Sequence, residues 1–88
     1  ISKNKIELTP EINVDDVLEK IQEQYKKKPI NKEDGVRIEF DKEWVHLRKS
    51  NTEPIIRIYA ESDSQATADH LANKIIMDIK EIVSNHES

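Results

Sequence analysis

Eighty-eight residues make one small domain, and a chain of this length buries only about 60–65% of the surface its unfolded form exposes, leaving little room for a deep catalytic cleft. Apolar residues are 35% and charged residues 36%, and 18 acidic against 14 basic side chains give a net charge of −4, which argues against non-specific binding to nucleic acid or to an anionic membrane. There is no cysteine, so disulfide staples, thiolate catalysis and thiolate metal sites are excluded. No apolar run approaches the ~20 residues that span a bilayer, and no signal-peptide pattern opens the chain, so the cytoplasm is the expected compartment. The chain opens on Ile1 rather than Met and is expected to be a piece of something longer.

The elements follow in chain order. Lys5 to Leu8 alternates, with Ile6 and Leu8 on one side and Pro10 ending it, and predicts a short strand. Asn13 reads as a helix N-cap, with Asp15 and Asp16 placed where carboxylates suit the positive end of the dipole. Val14, Val17, Leu18, Ile21 and Tyr25 then fall on one helical face. Lys26, Lys27 and Lys28 are expected at the helix C-terminus as a solvated end, and Pro29 as the stop.

Asp34-Gly35 is a turn signal, followed by three alternating runs: Val36 to Phe40, Trp44 to Lys49, and Ile55 to Glu61. Ser62 with Gln65 fits a capping box, and Ala68, Leu71, Ala72, Ile75, Ile79, Ile82 and Val83 make a continuous helical stripe, with Asn85 to Ser88 expected to fray. The order β-α-β-β-β-α predicts an α+β domain: a four-stranded, mainly antiparallel sheet with two helices on one face. By parity, Val36, Ile38, Phe40, Val45, Leu47, Ile56, Ile58 and Ala60 face the helices. The opposite face then carries Arg37, Glu39, Trp44, His46, Arg48, Ile55, Arg57 and Tyr59, a set open to two readings: a half-solvated sheet with snorkelling arginines, or a face that meets a partner domain or ligand.

The loop between the last two strands is the candidate site. Ser50, Asn51 and Thr52 supply two hydroxyls, a carboxamide and several backbone N–H groups within three residues, and such loops form nests of donors for an anion. Arg48 enters the loop and Arg57 leaves it, both on the face away from the helices, and guanidinium groups grip phosphate through paired hydrogen bonds. The spacing alone leaves two readings open, a phosphate site or an ordinary hairpin turn.

The string Arg48-Lys49-Ser50-Asn51-Thr52-Glu53-Pro54-Ile55-Ile56-Arg57 resembles the phosphate-binding loop of the α-D-phosphohexomutases, the superfamily of phosphoglucomutase, phosphomannomutase and phosphoglucosamine mutase. Their C-terminal domain reads R-x-S-N/G-T-E-P followed closely by a second Arg. Asp34-Gly35-Val36-Arg37-Ile38 and Trp44-Val45 are similar to that domain's leading hairpin, and Tyr59-Ala60-Glu61 to its outgoing strand.

The resemblance implies a TBP-like fold, here residues 1–88 as a single domain, the fourth and last of a four-domain isomerase that interconverts sugar 1-phosphate and 6-phosphate through a phosphoserine and a bisphosphorylated intermediate. It implies that Arg48, Ser50, Asn51, Thr52 and Arg57 hold the phosphate that is not reacting, with Pro54 and Glu53 shaping the loop. The family's phosphoserine, magnesium and sugar-reading loops have no counterpart here, so no catalytic residue and no metal ligand is expected in this chain, and Mg2+ is expected in another domain. His46, His70 and His86 have no ligand spacing. The implied partners are a hexose phosphate and the other domains of the same enzyme, without nucleic acid or membrane. The competing expectations are an open-sheet nucleic-acid module, which Trp44, Tyr59, Arg37 and Arg57 superficially suit, and a protein-interaction module.

Overall fold

The computed structural model describes residues 1–32, 35–50 and 52–87, and of residues 86 and 87 the backbone alone. Strand β1 (Ser2–Glu7) leads into helix α1 (Val14–Gln24). Strands β2 (Ile30–Asn31), β3 (Val36–Glu39), β4 (Trp44–Lys49) and β5 (Ile55–Glu61) follow, and helix α2 (Gln65–Glu87) closes the chain. The strands form one sheet in the order β1-β5-β4-β3-β2, and every pairing is antiparallel.

The sheet therefore has five strands where four were expected. The fifth, β2, is two residues long and pairs Ile30 with Ile38 and Asn31 with Arg37. Two residues cannot display an alternation, so no period announces it. Strand β1 begins at Ser2 rather than Lys5 and ends at Glu7. Its inward positions are Ser2, Asn4 and Ile6, and two polar side chains there conceal the pattern. Ser2 is buried at 3% exposure, and its hydroxyl accepts from Asn4 Nδ2 at 2.8 Å. Bonds from Ser2, and secondarily from Gln65, hold the Asp69 carboxyl below its ordinary pKa.

Helix α1 starts as expected. Asn13 Oδ1 accepts the backbone N–H of Asp15 at 2.9 Å and of Asp16 at 3.3 Å. Its end differs, since Tyr25 is the C-cap and Lys26 to Lys28 lie past the helix in a turn, Lys28 N–H bonding Tyr25 O at 2.9 Å. Pro29 thus follows the stop rather than making it. In α2 the cap is Ser64 and not Ser62: Ser64 Oγ accepts from Thr67 N–H, and Thr67 Oγ1 accepts from Ser64 N–H, both at 3.2 Å. The reciprocal pair is a capping box shifted by two residues from the Ser62–Gln65 expectation. The helix continues through Glu87, past the expected fraying at Asn85.

Both helices cover one face. Helix α1 lies on β3 and β4, and α2 on β1 and β5. Ile21, Ile38, Val45, Leu47, Ile56, Ile58, Ile75 and Ile79 are fully enclosed between these layers. Each such aliphatic side chain contributes about 1.5–3 kcal/mol by leaving water. The inward face is the one that the strand parity predicted, with Phe40 packed at its margin just beyond β3. One outward residue differs: Ile55 is only 8% exposed. The loop before it folds back on its backbone, Ser50 N–H bonding Ile55 O at 3.0 Å and Ile55 N–H bonding Glu53 O at 2.8 Å.

Tyr25 ties the far end of α1 to its neighbours. Its hydroxyl donates to the Asp78 carboxylate on α2, and its ring meets Phe40 edge-on at 5.7 Å. Burial, then the Asp78 bond and its charge, push the phenol above its ordinary value of 10.0. The unfolded chain releases this proton near pH ~10 while the folded chain keeps it. The contribution is therefore complete below that pH and is lost as pH rises above it. Tyr25→Phe is expected to remove it. In urea titrations the native protein's advantage over the variant, about 1 kcal/mol or less for a partly exposed bond, shrinks from pH ~10 upward. An advantage undiminished at pH ~11 would refute the role.

Candidate functional site

The outward face of the sheet is built from cross-strand rows. Antiparallel register places Lys5 opposite Arg57, and Arg57 opposite Arg48. The next row runs Lys3, Tyr59, His46, Arg37 and Asn31. The third holds Glu61, Trp44 and Glu39. The rows differ in how their charges are met.

At the third row the polar groups engage one another. Trp44 Nε1 donates to Glu61 at 2.9 Å, and the Arg37 guanidinium lies 4.5 Å from the Trp44 ring centre. Arg37 also pairs with Glu39 at 3.6 Å. Trp44, Arg37 and Glu39, expected on this face, thus form a cluster with Glu61, in which Arg37 Nε alone is buried without a hydrogen-bond partner among the described residues. His46 and Tyr59 lie beside it with ring centres 6.4 Å apart.

The first row is different. Arg48 and Arg57 are both exposed and directly opposite each other on adjacent strands. Like charges so placed are destabilising, by about 1 kcal/mol for charges ~4 Å apart even in water. Among the described residues the Arg57 guanidinium has no hydrogen bond and no ion pair. The register thus brings two arginine positions side by side at the end of the sheet that carries the loop.

The loop that joins their strands lies immediately beyond. Ser50 Oγ accepts Thr52 N–H at 3.3 Å and lies 3.4 Å from Thr52 Oγ1, so the two hydroxyls stand together. Ser50 N–H closes the loop on Ile55 O, and Leu8 N–H bonds Pro54 O at 2.7 Å, fixing the loop's exit to the end of β1. Pro54 is half-buried and Glu53 exposed. Asn51, the fifth expected site residue, lies outside the described residues, as does Asp34 of the preceding turn. Arg48, Ser50, Thr52 and Arg57 are thus brought to one end of the sheet.

Two positioning features escaped the sequence reading. Gly35 opens β3 with φ +81°, and a Cβ there would stand 2.5 Å from Leu47 O and 3.2 Å from Arg48 Cγ. The bare glycine is what lets β4 and the stem of Arg48 lie so close. Lys49 points to the helix side, where its ammonium meets Asp15 of α1 at 2.8 Å. This anchors the start of α1 to the strand that leads into the loop. An open groove between the start of α1 and the end of β4 is lined by Asp15, Glu19, Lys32, Gly35, Arg48 and Lys49, so carboxylates and cations share it. Among the described residues no three His, Asp or Glu side chains are grouped to hold a metal ion, and no helix is long and apolar enough to cross a membrane.

Comparison with known proteins shows the family. The model of the phosphoglucomutase/phosphomannomutase C-terminal domain matches residues 5–77. A phosphoglucosamine/phosphogalactosamine mutase of Sulfurisphaera tokodaii is 39% identical over 75 residues, covering 83% of this chain and 16% of that protein. A phosphomannomutase of Methanocaldococcus jannaschii is 39% identical over 51 residues, 58% of this chain and 11% of the relative. Human phosphoacetylglucosamine mutase is 55% identical over 29 residues, 33% of this chain and 5% of the relative. The chain thus spans only a small part of the length of the curated relatives it matches. With the whole sheet and both helices inside or bordering the matched span, the chain belongs to the phosphoglucomutase/phosphomannomutase C-terminal domain family.

Proposed function

We propose that this chain is the phosphate-gripping C-terminal domain of a four-domain cytoplasmic phosphohexomutase, an isomerase that interconverts hexose 1-phosphate and 6-phosphate. In the complete enzyme a phosphoserine of another domain donates its phosphoryl group to the free hydroxyl of the sugar phosphate. The bisphosphorylated sugar then returns its other phosphoryl group to the serine. Throughout, Arg48, Ser50, Asn51, Thr52 and Arg57 hold the phosphate that is not reacting. The guanidinium groups of Arg48 and Arg57 bind its oxygens through charge-assisted bonds, and the loop supplies hydroxyl and backbone donors.

The observation that carries this reading is the register itself. Arg48 and Arg57 oppose each other beside the Ser50–Thr52 hydroxyls, so two like charges and two hydroxyls share one end of the sheet, an arrangement that suits a bound anion. A site that must accept the sugar in two orientations grips the common phosphate and leaves the sugar to other domains. The relatives carry glucosamine and mannose names alike, so the substrate is assigned no more narrowly than hexose phosphate. Among the described residues no three acidic or histidine side chains are grouped to hold a metal ion, and we assign Mg2+ to another domain of the complete enzyme. The 88-residue chain alone is expected to be inactive as a mutase.

An NMR titration with glucose 1-phosphate and inorganic phosphate, with glucose as control, tests the assignment. Saturable shifts confined to the Ser50, Asn51 and Thr52 amides and to the Arg48 and Arg57 side chains are expected, at about millimolar Kd for the single domain. The same loop in the complete enzyme is expected to bind more tightly. No shift there at tens of millimolar, or equal shifts with glucose, would sink the reading.

A further inference from the structure

We infer that Lys5 is a third cation of this anion site, contributed by β1, and that it biases the site toward dianionic over monoanionic phosphate. The inference rests on the reading of Arg48 and Arg57 as the phosphate grip.

The register makes the case. Lys5 lies opposite Arg57 as Arg57 lies opposite Arg48, so three cations stand in one row across three adjacent strands. Strands are spaced ~4.8 Å apart, so the row spans about 10 Å between its outer Cα positions. All three side chains project on the same face: on β1 it is Ser2, Asn4 and Ile6 that turn toward the helices, and Lys3, Lys5 and Glu7 that stay exposed. The row ends where the loop begins. Leu8 N–H, three residues on from Lys5, bonds Pro54 O, so the strand that carries Lys5 and the loop that carries Ser50 and Thr52 are held together.

Lys5 is only weakly engaged. Its ammonium is 3.9 Å from Glu7, with the two side chains 58% and 71% exposed, the outer limit of an ion pair in water. It therefore swings to an anion held by Arg57 without giving up a buried contact. The chemistry differs from that of its neighbours. The two guanidinium groups offer planar forks that fix the orientation of a phosphate. An ammonium on a flexible stem offers a mobile point charge. Two guanidinium charges balance a dianion, and a third leaves the site with a residual positive charge that favours the more highly charged ligand.

The test uses the complete enzyme, with binding read at the Ser50 and Thr52 amides. Methyl phosphate serves as the dianionic probe and dimethyl phosphate as the monoanionic one. Lys5→Gln is expected to weaken methyl phosphate about two- to fivefold, to narrow its preference over dimethyl phosphate, and to flatten the dependence of Kd on salt. Lys5→Arg, which keeps the charge, is expected to bind as the native protein does. Arg48→Gln and Arg57→Gln separate the two levels of the argument. If they lose binding while Lys5→Gln keeps native affinity and preference, Lys5 is an ordinary surface lysine and this inference falls. If they bind as the native protein does, the grip itself is misassigned and the inference falls with it.

Discussion

Arg48→Ala in the complete enzyme is expected to lower kcat/KM for hexose phosphate about 30- to 1000-fold while leaving the unfolding midpoint of this domain unchanged. The side chain is exposed and its strand position lies directly opposite Arg57, so its removal opens no cavity and takes away one of two like charges. What is lost is a bidentate, charge-assisted grip, and about 2–4 kcal/mol of transition-state binding goes with it. Because the same site holds the spare phosphate in both orientations of the sugar, the loss is expected in both directions of the isomerisation. Arg48→Lys recovers only part of it, since the charge returns without the fork. Steady-state kinetics with a thermal melt check the claim. A variant that unfolds, or one with native kcat/KM, would show that Arg48 does not grip substrate.

Gly35→Ala acts on the same arginine from behind and is expected to be the most damaging change for stability outside the core. With φ at +81° the position lies in the left-handed region, where a Cβ costs about 1–2 kcal/mol. The added methyl would also sit 2.5 Å from Leu47 O, a backbone atom of a central strand that yields only if β4 moves. The combined cost is about 2–4 kcal/mol, or more than ~10 °C in Tm for a domain of this size. The displacement carries Arg48 with it, since Arg48 Cγ would be 3.2 Å from the new methyl. Stability and phosphate affinity are therefore expected to fall together. A Tm within ~3 °C of the native value would contradict the strain assigned to Gly35.

The two long alternating strands and both helices were legible because their apolar positions follow one period each. Val45 and Leu47, Ile56 and Ile58, and the α2 stripe from Ala68 to Ile82 are buried as their spacing required. What escaped the sequence did so for identifiable reasons. The first half of β1 hides behind Ser2 and Asn4, polar residues that face inward only because each finds a partner there. β2 is too short to have a period. Ser62 and Ser64 are both competent caps, and the choice between them depends on where β5 releases the chain. The proposed site residues stand out in the sequence as a motif, and the register between β4 and β5 adds that the two arginine positions lie opposite each other. That Lys5 lies beside Arg57 was not readable, because the two are brought together only once the first strand has paired with the last.

That pairing has a consequence for how the domain assembles. Strands β3, β4 and β5 join neighbours through short loops, whereas β1 meets β5 across roughly fifty residues of sequence. Closing so long a loop is entropically slow, and local hairpins outrun it. As the chain leaves the ribosome, β1 emerges before its partner exists and waits until β5 has been made. The end of the sheet where Leu8 meets Pro54 is then among the last parts to be completed, so a meander can be native in its hairpins while the neighbourhood of its arginines is still unfinished.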